Sequence, residues 1–227
     1  MKVLLTGGSG LLGSHILKLD KTLIAPDHWY MDITKPSSIS AVLNRYKPDV
    51  VLHLAAETNP PAHEKDPIPG IRVNILGTAY LALACHKRGI RLVYTSTDYV
   101  YTGSGPHTED EPVKPPSKFV WSKLGGECAV AMLENFLILR IDFGPRPFPW
   151  REVYDLQMCS KLYADEMAPL VLKAARSTAT GIMNIGGPKI SLYDYAKRTN
   201  QFIEKIEKPE WVPLDTSLDT NRMKTEL

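Results

Sequence analysis

The sequence predicts an α/β fold: a doubly wound parallel sheet with helices on both faces and a small C-terminal lobe. Three observations carry this prediction. An apolar run, Val3-Leu4-Leu5, gives way to Gly7, Gly10 and Gly13, then to a helical pattern through Leu12, Ile16 and Leu17. Strand-like and helix-like stretches alternate through the first two thirds of the 227 residues. The strand-like stretches are almost continuously apolar, as strands buried on both faces must be.

The opening strand, glycine turn and helix set backbone N–H groups at a helix N-terminus, the geometry that receives a pyrophosphate. Gly7 permits the tight turn, Gly10 lets a phosphate approach the backbone, and Gly13 lets the helix pack closely on the sheet. The spacing is G-x-x-G-x-x-G. Residues 22–25 then read as a second strand. Residues 37–46 read as a helix with Ile39, Val42 and Leu43 on one face, and 49–54 as a buried strand. A helix over 74–86, a strand over 91–96, a helix over 123–133 and a strand over 136–141 follow. The run Gly144-Pro145-Arg146-Pro147-Phe148-Pro149 can continue neither helix nor ladder. It separates residues 1–142 from a shortened lobe, residues 143–227, interleaved with the sheet. In that lobe we expect a helix over 164–175, a strand over 181–185, a helix over 192–206 and an extended piece near Trp211–Leu214.

With 44% hydrophobic and 23% charged residues, the chain has the composition of a globular protein with a real core. A net charge of +2, with lysines and arginines scattered, gives no electrostatic case for nucleic acid or an anionic membrane. We expect no leader before the first strand and no apolar run of membrane-spanning length. Cys85, Cys128 and Cys159 are odd in number and form no C-x-x-C pair, which suits a reducing, cytoplasmic setting. The six histidines form no ligand-like cluster, so no metal is expected.

In a parallel sheet, ligands lie beyond the carboxyl ends of the strands. Asp27, twenty residues after Gly7, can accept bonds from ribose hydroxyls and repel a 2′-phosphate, or can simply close the turn after Pro26. Asp32 can meet an adenine amino group and Ile33 its face, while Thr34 and Ser37 read equally well as helix caps. After the third strand, Leu54, Ala55, Ala56, Glu57 and Thr58 let a diphosphate and ribose pass closely, or else pack tightly. Asn74 either caps a helix or braces the site backbone. Ser96 and Thr97 place hydroxyls at the crevice lip, where one can bond a carbonyl oxygen as charge develops on it. Trp121 and Trp150 are expected to fill core, with stacking on a nucleobase as the alternative.

The blocks from Thr6 to Gly13, His53 to Thr58, Ser96 to Tyr101 and Ser122 to Glu127 resemble the extended short-chain dehydrogenase/reductases. Among them, the chain is similar to the dTDP-4-dehydrorhamnose reductase family and its sugar-nucleotide relatives. Further matches run from Leu139 to Arg146, from Tyr163 to Glu166, from Gly181 to Gly187 and from Ser191 to Ala196. The resemblance implies a Rossmann-type fold, NAD or NADP (with NAD favoured by Asp27), a reductase or epimerase acting on a nucleotide-linked 4-keto sugar, and room for a homodimer. Cofactor contacts would come from Gly7, Ser9, Gly10, Leu11, Leu12, Asp27, Asp32, Ile33, Leu54, Ala55, Ala56, Thr58, Asn74, Thr95 and Lys123. Substrate contacts would come from Thr97, Asp98, Tyr99 and Arg146.

In such enzymes a tyrosine moves the proton, a lysine four residues later lowers its pKa and holds the nicotinamide ribose, and a hydroxyl orients the carbonyl. Thr97 and Lys123 match the last two. The tyrosine position is Phe119, which has no O–H to give. The one literal Tyr-x-x-x-Lys, Tyr193 to Lys197, falls in a block that matches a structural helix. Three readings stay open: an engineered Tyr→Phe change, a natural branch in which Tyr99, Tyr101 or a water supplies the proton, and a dinucleotide-binding regulatory protein without turnover. A 4,6-dehydratase is disfavoured, because Thr97-Asp98-Tyr99 has a tyrosine where that branch wants a glutamate.

Overall fold

The computed structural model describes residues 1–210 and 212–227. β1 (Val3–Thr6) runs through the glycine turn into α1 (Leu11–Leu19), and α2 (Pro36–Tyr46) leads to β2 (Val50–His53). The short α3 (Pro60–Lys65) precedes a helical rod built from α4 (Ile68–Gly70), a π-helical stretch Ile71–Gly77 and α5 (Thr78–His86). β3 (Arg91–Thr97) ends in a single 3₁₀ turn, Asp98–Val100, and α6 (Lys118–Ala131) leads to β4 (Phe136–Ile141). Short strands β5 (Phe143–Gly144), β6 (Glu152–Tyr154), β7 (Met158–Cys159) and β8 (Leu162–Tyr163) follow, then α7 (Ala164–Arg176) and β9 (Gly181–Ile185). The chain closes with β10 (Ile190–Ser191), α8 (Leu192–Lys197), β11 (Glu204–Ile206) and α9 (Asn221–Glu226).

The central sheet is parallel throughout, in the order β1-β2-β3-β4-β9. Strand alternation sends Val3, Leu5, Val50, Leu52, Val93, Leu137, Leu139, Met183 and Ile185 to one face, where α1 and α7 cover them with Leu12, Ile16, Met167 and Val171. Leu4, Val51, Leu92, Tyr94 and Ile138 go to the other face, beneath Ile39, Val42, Leu43, Leu81, Cys85 and Val130 of α2, α5 and α6. This is the two-faced burial that the continuous apolar strands predict. α7 and β9 belong to these sheet layers although they follow residue 142. A separate small core of Phe148, Val153, Tyr163, Tyr195 and Ile203 holds the lobe together.

Several sequence expectations need correction. The strand over 22–25 shrinks to one bridge between Ile24 and Leu4, because Asp20 and Thr22 form a turn before it and Pro26 ends it. α6 starts at Lys118 rather than 123, since the Ser117 hydroxyl caps it by accepting from Val120 N at 3.4 Å. The helix over 192–206 stops at Lys197. There the Asn200 amide reaches Phe148 O and Trp150 O, and β11 turns away to pair with β6. Of the extended piece expected near residues 211–214, residue 211 lies outside the described residues and 212–214 form no strand. The rod Ile68–His86 is long and apolar enough to cross a membrane by length and composition, against expectation, and 44% of that window is buried inside the protein. Its polar and small members, Asn74, Gly77 and Thr78, face the protein, which interrupts the apolar run in the sequence. Trp121 and Trp150 are not core: they are 58% and 55% exposed. Cys85 and Cys159 are buried thiols pushed up to about 12 by that burial, and Cys128 is exposed; none is paired.

Candidate functional site

β1 connects through α1 to the Ile24 bridge on one side and through α2 to β2 on the other, so the chain changes direction across the β1–β2 edge. The glycine turn lies there. Gly7 has φ +73°, and a Cβ on it would stand 2.7 Å from Ala55 N. A Cβ on Gly13 would stand 2.2 Å from Gly7 O, so α1 packs against the turn only because both residues lack side chains. Gly10 meets only Gly7 O, at 3.2 Å, and caps α1 with no side-chain hydrogen bond. Ser9 and Leu11 are exposed beside it, while Leu12 points into the core. An open helix N-terminus in a cradle that a Cβ would fill fits a dinucleotide's pyrophosphate.

A buried hydrogen-bond chain, which sequence reasoning missed, fixes the cradle's floor. Ala55 N donates to Thr6 Oγ1 at 3.2 Å, and Thr6 Oγ1 stands 2.7 Å from His53 Nδ1. Thr78 Oγ1 stands 3.0 Å from Nε2, so two hydroxyls bracket the ring, and a neutral imidazole donates to one and accepts from the other. His53 is neutral: burial, helped by the Lys123 charge, pushes its pKa down to about 3. Thr95 Oγ1 donates to His53 O, so Thr95 braces β2. Leu54 and Ala56 are half-buried at this edge, and Thr58 is exposed.

At the next loop, exposed Asp27 accepts from Tyr30 N at 2.9 Å through Oδ1, which closes the turn; its second carboxylate oxygen has no partner among the described residues. Asp32 is more committed. It accepts from Thr34 Oγ1 and N and pairs with Lys35 at 2.9 Å, and these bonds hold its pKa at about 2. Ile33 is buried against Gly77 rather than presented to the crevice.

Asn74 sits in the π-helical stretch, not at a helix start, so it is no cap. Its side chain accepts from Glu57 N at 2.8 Å and donates to Glu57 O at 2.9 Å and to Ser122 Oγ at 2.8 Å. The π turn rotates it toward the site, where it ties the loop after β2 to α6. Ser122 in turn donates to Phe119 O at 2.7 Å. Phe119 is half-buried, its ring edge-on to His63 at 5.5 Å and packed on the cluster of Val100 and Tyr101 that follows Thr97. Lys123, one turn further along α6, is 4% exposed, with its ammonium 4.4 Å from the centre of the Tyr94 ring. Burial pushes its pKa down to about 7 against the opposing pull of Glu127.

Thr97 caps the 3₁₀ turn, accepting from Tyr99 N at 3.3 Å and donating to Asp98 Oδ1 at 3.4 Å. Asp98 is fully buried; burial, then the nearby Asp142 carboxylate, pushes its carboxyl well above the usual range. Tyr99 accepts from Gln157 Nε2 at 2.8 Å and borders a cavity of about 520 Å³ with Asp142, Trp150, Gln157, Lys161 and Ile206. Lys161 is ion-paired with Asp142. Asp142 follows β4 directly, so the strand-end rule that picked Thr97 could have found it; nothing in the sequence marks Gln157 or Lys161. Arg146 lies off this cavity, paired with Asp165 at 3.1 Å and Glu166 at 2.6 Å and stacked 4.3 Å from Tyr163. Its diphosphate role finds no geometry here. Tyr101 is also spent: its hydroxyl accepts from Arg140 and donates to Asn184.

A two-faced parallel sheet with an open glycine cradle at its reversal edge defines the Rossmann-type class of nucleotide-binding proteins. Residues 1–143 match the family model of the RmlD substrate binding domain, and the chain belongs to that family. It is 35% identical over 133 residues to a dTDP-4-dehydrorhamnose reductase of Streptomyces griseus, covering 56% of this chain and 44% of that protein. It is 31% identical over 141 residues to methionine adenosyltransferase 2 subunit beta of Xenopus tropicalis, covering 57% and 42%. The chain spans about half the length of the curated relatives it matches. In fold it is similar to the Bacillus anthracis dTDP-4-dehydrorhamnose reductase solved with NADP (TM-score 0.86, 22% identity), covering 99% of this chain and 93% of that one.

Proposed function

We propose that this chain is a nicotinamide-dinucleotide-dependent reductase of a nucleotide-linked 4-keto sugar. The observation that carries the reading is the Gly7–Gly10–Gly13 cradle, packed to contact against Ala55 with its helix N-terminus uncapped. Family membership and the reductases among the relatives support it. Bound there, the coenzyme would supply the hydride. Lys123 would lie along the nicotinamide ribose, and Asn74 and Ser122 hold the loop and helix that flank it. Thr97 would orient the carbonyl, giving up its long bond to Asp98 to do so. The cavity beside Tyr99 would take the sugar and its nucleotide, with Trp150 half-exposed at its wall as a stacking surface. Asp27, with one free oxygen and no lysine or arginine between Ala25 and Thr34, favours NAD over NADP. Three unpaired cysteines suit a reducing, cytoplasmic compartment.

Phe119 favours a second reading, a dinucleotide-binding subunit without turnover; one of the relatives is a subunit of another enzyme. Two measurements decide. Coenzyme should raise the melting temperature, NAD at lower concentration than NADP, since a ligand at a hundredfold its Kd adds about 2.7 kcal/mol. Phe119→Tyr should raise reduction of a dTDP-4-keto-6-deoxy sugar by roughly 10²–10⁴-fold. Coenzyme binding with no turnover in either form would leave the subunit reading standing.

A further inference from the structure

With Phe119 in the tyrosine's place, another group must give the proton, and the structure narrows the choice. Tyr101 has both hydroxyl roles occupied by Arg140 and Asn184, and Tyr99, which accepts from Gln157, keeps its proton because burial and the nearby Asp142 and Asp98 push its hydroxyl well above the usual phenol range. Asp98 is sealed from solvent at the foot of the 3₁₀ turn. Lys123 differs from every other buried cation among the described residues. Arg140 is held bidentately by Glu127, at 3.2 and 2.9 Å, Lys161 is paired with Asp142, and Arg91 donates to Ser177 O and Ala179 O. Among the described residues the Lys123 ammonium has no hydrogen bond or ion pair, and the face of Tyr94 receives it. Residues four apart on a helix share a face, so Lys123 and Phe119 lie one turn apart on the same side of α6.

We propose that Lys123 itself is the proton donor of this chain, acting directly or through one water lodged where a phenol oxygen would stand. The proposal rests on the reductase reading above. As the substrate's carbonyl carbon takes hydride, its oxygen takes a proton from Nζ: one N–H bond breaks, one O–H bond forms, and the neutral amine regains its proton from solvent.

The surroundings suit the task. The groups facing Nζ are Tyr94 on β3, neutral His53 on β2, and Glu127 on its own helix, whose charge is already engaged by Arg140. Burial therefore outweighs attraction and brings the ammonium to about 7, where it can both hold and release a proton in neutral solution. A tyrosine at this position of α6 would make the lysine acid redundant.

The test is the pH profile of kcat/KM for dTDP-4-keto-6-deoxyglucose reduction, in the chain as it stands and in Phe119→Tyr, Lys123→Met and the double variant. Coenzyme Kd is measured in parallel, so that rates are compared at saturation. The unmodified chain should be slow, with a rate that falls about tenfold per pH unit above ~7. Phe119→Tyr should remove that limb. Lys123→Met should cost at least ~10²-fold at saturating coenzyme with Phe119 present, and much less in the Phe119→Tyr background. An active Phe119→Tyr form beside an unmodified chain that is inactive at every pH, or equally active at pH 6 and pH 9, would overturn the lysine's role. So would a Lys123→Met rate within threefold of the parent. If Phe119→Tyr shows no hydride transfer although coenzyme binds, the reductase reading itself falls. The unmodified chain's profile needs no variant, so misfolding of Lys123→Met leaves the test intact.

Discussion

Protonating His53 should loosen the floor of the glycine cradle, and the size of the effect follows from its contacts. Nδ1 stands 2.7 Å from Thr6 Oγ1, which already accepts from Ala55 N. A second ring proton would put a positive charge in a fully buried site beside Lys123. The unfolded chain binds the proton near 6.5, whereas the folded one resists until about 3. Between those values the unfolded state holds more protons, so stability drops as pH falls, by about 1.4 kcal/mol per unit and roughly 5 kcal/mol in all. A domain has about 5–15 kcal/mol to lose. Other acidic groups, such as Asp32, also titrate, so the measurement must isolate His53. Urea unfolding followed by circular dichroism at pH 7, 6, 5 and 4, for the parent and for His53→Gln, does this by difference. The stability gap between them should shrink by roughly 3 kcal/mol between pH 7 and pH 4. A gap that stays constant over that range would refute a buried, neutral His53.

Glu127→Gln strips Arg140 of its carboxylate inside the fold. It should cost about 3–5 kcal/mol, lowering Tm by ~10 °C in calorimetry, whereas replacing both residues by Met should come near the parent. Gly13→Ala drives a methyl into Gly7 O; we expect ~1–3 kcal/mol of destabilisation and, by fluorescence titration, at least tenfold weaker coenzyme binding. Asp27→Ser should narrow the NAD-over-NADP preference by about tenfold in competing titrations, and an unchanged ratio would assign Asp27 to its turn alone.

The sheet was legible because its strands are buried on both sides, which writes an unbroken apolar run into the sequence wherever a central strand occurs. Ile24 failed that logic. It lies at the edge, held by two bonds to Val3 and Leu5, and three apolar residues after Thr22 say nothing about how many find partners. The glycine cradle was legible because sterics leave no other residue for Gly7 and Gly13. Asn74 was misplaced by a turn and a half because a π-helical stretch has no distinct composition. Glu57, Asn74 and Ser122 meet only through folding, as do Asp142 and Lys161, so no local pattern announces them. Arg146 shows the converse: a residue type suited to phosphate, spent on two neighbouring carboxylates.

β9 comes to rest beside β4, yet α7 and a first piece of the lobe, residues 142–163, intervene between them in the chain. The lobe is thus assembled from two stretches, one thrown out between β4 and α7 and one that follows β9, and its core of Phe148, Val153, Tyr195 and Ile203 ties the two together. Cutting the chain after residue 143 would leave β4 as a bare outer edge, its Leu139 and Ile141 stripped of Met183, Ile185 and the cover of α7. Such a fragment should stick to its own kind rather than stand as a module. Variation in substrate pocket can accordingly enter through either stretch, before α7 or after β9, with the coenzyme floor left untouched.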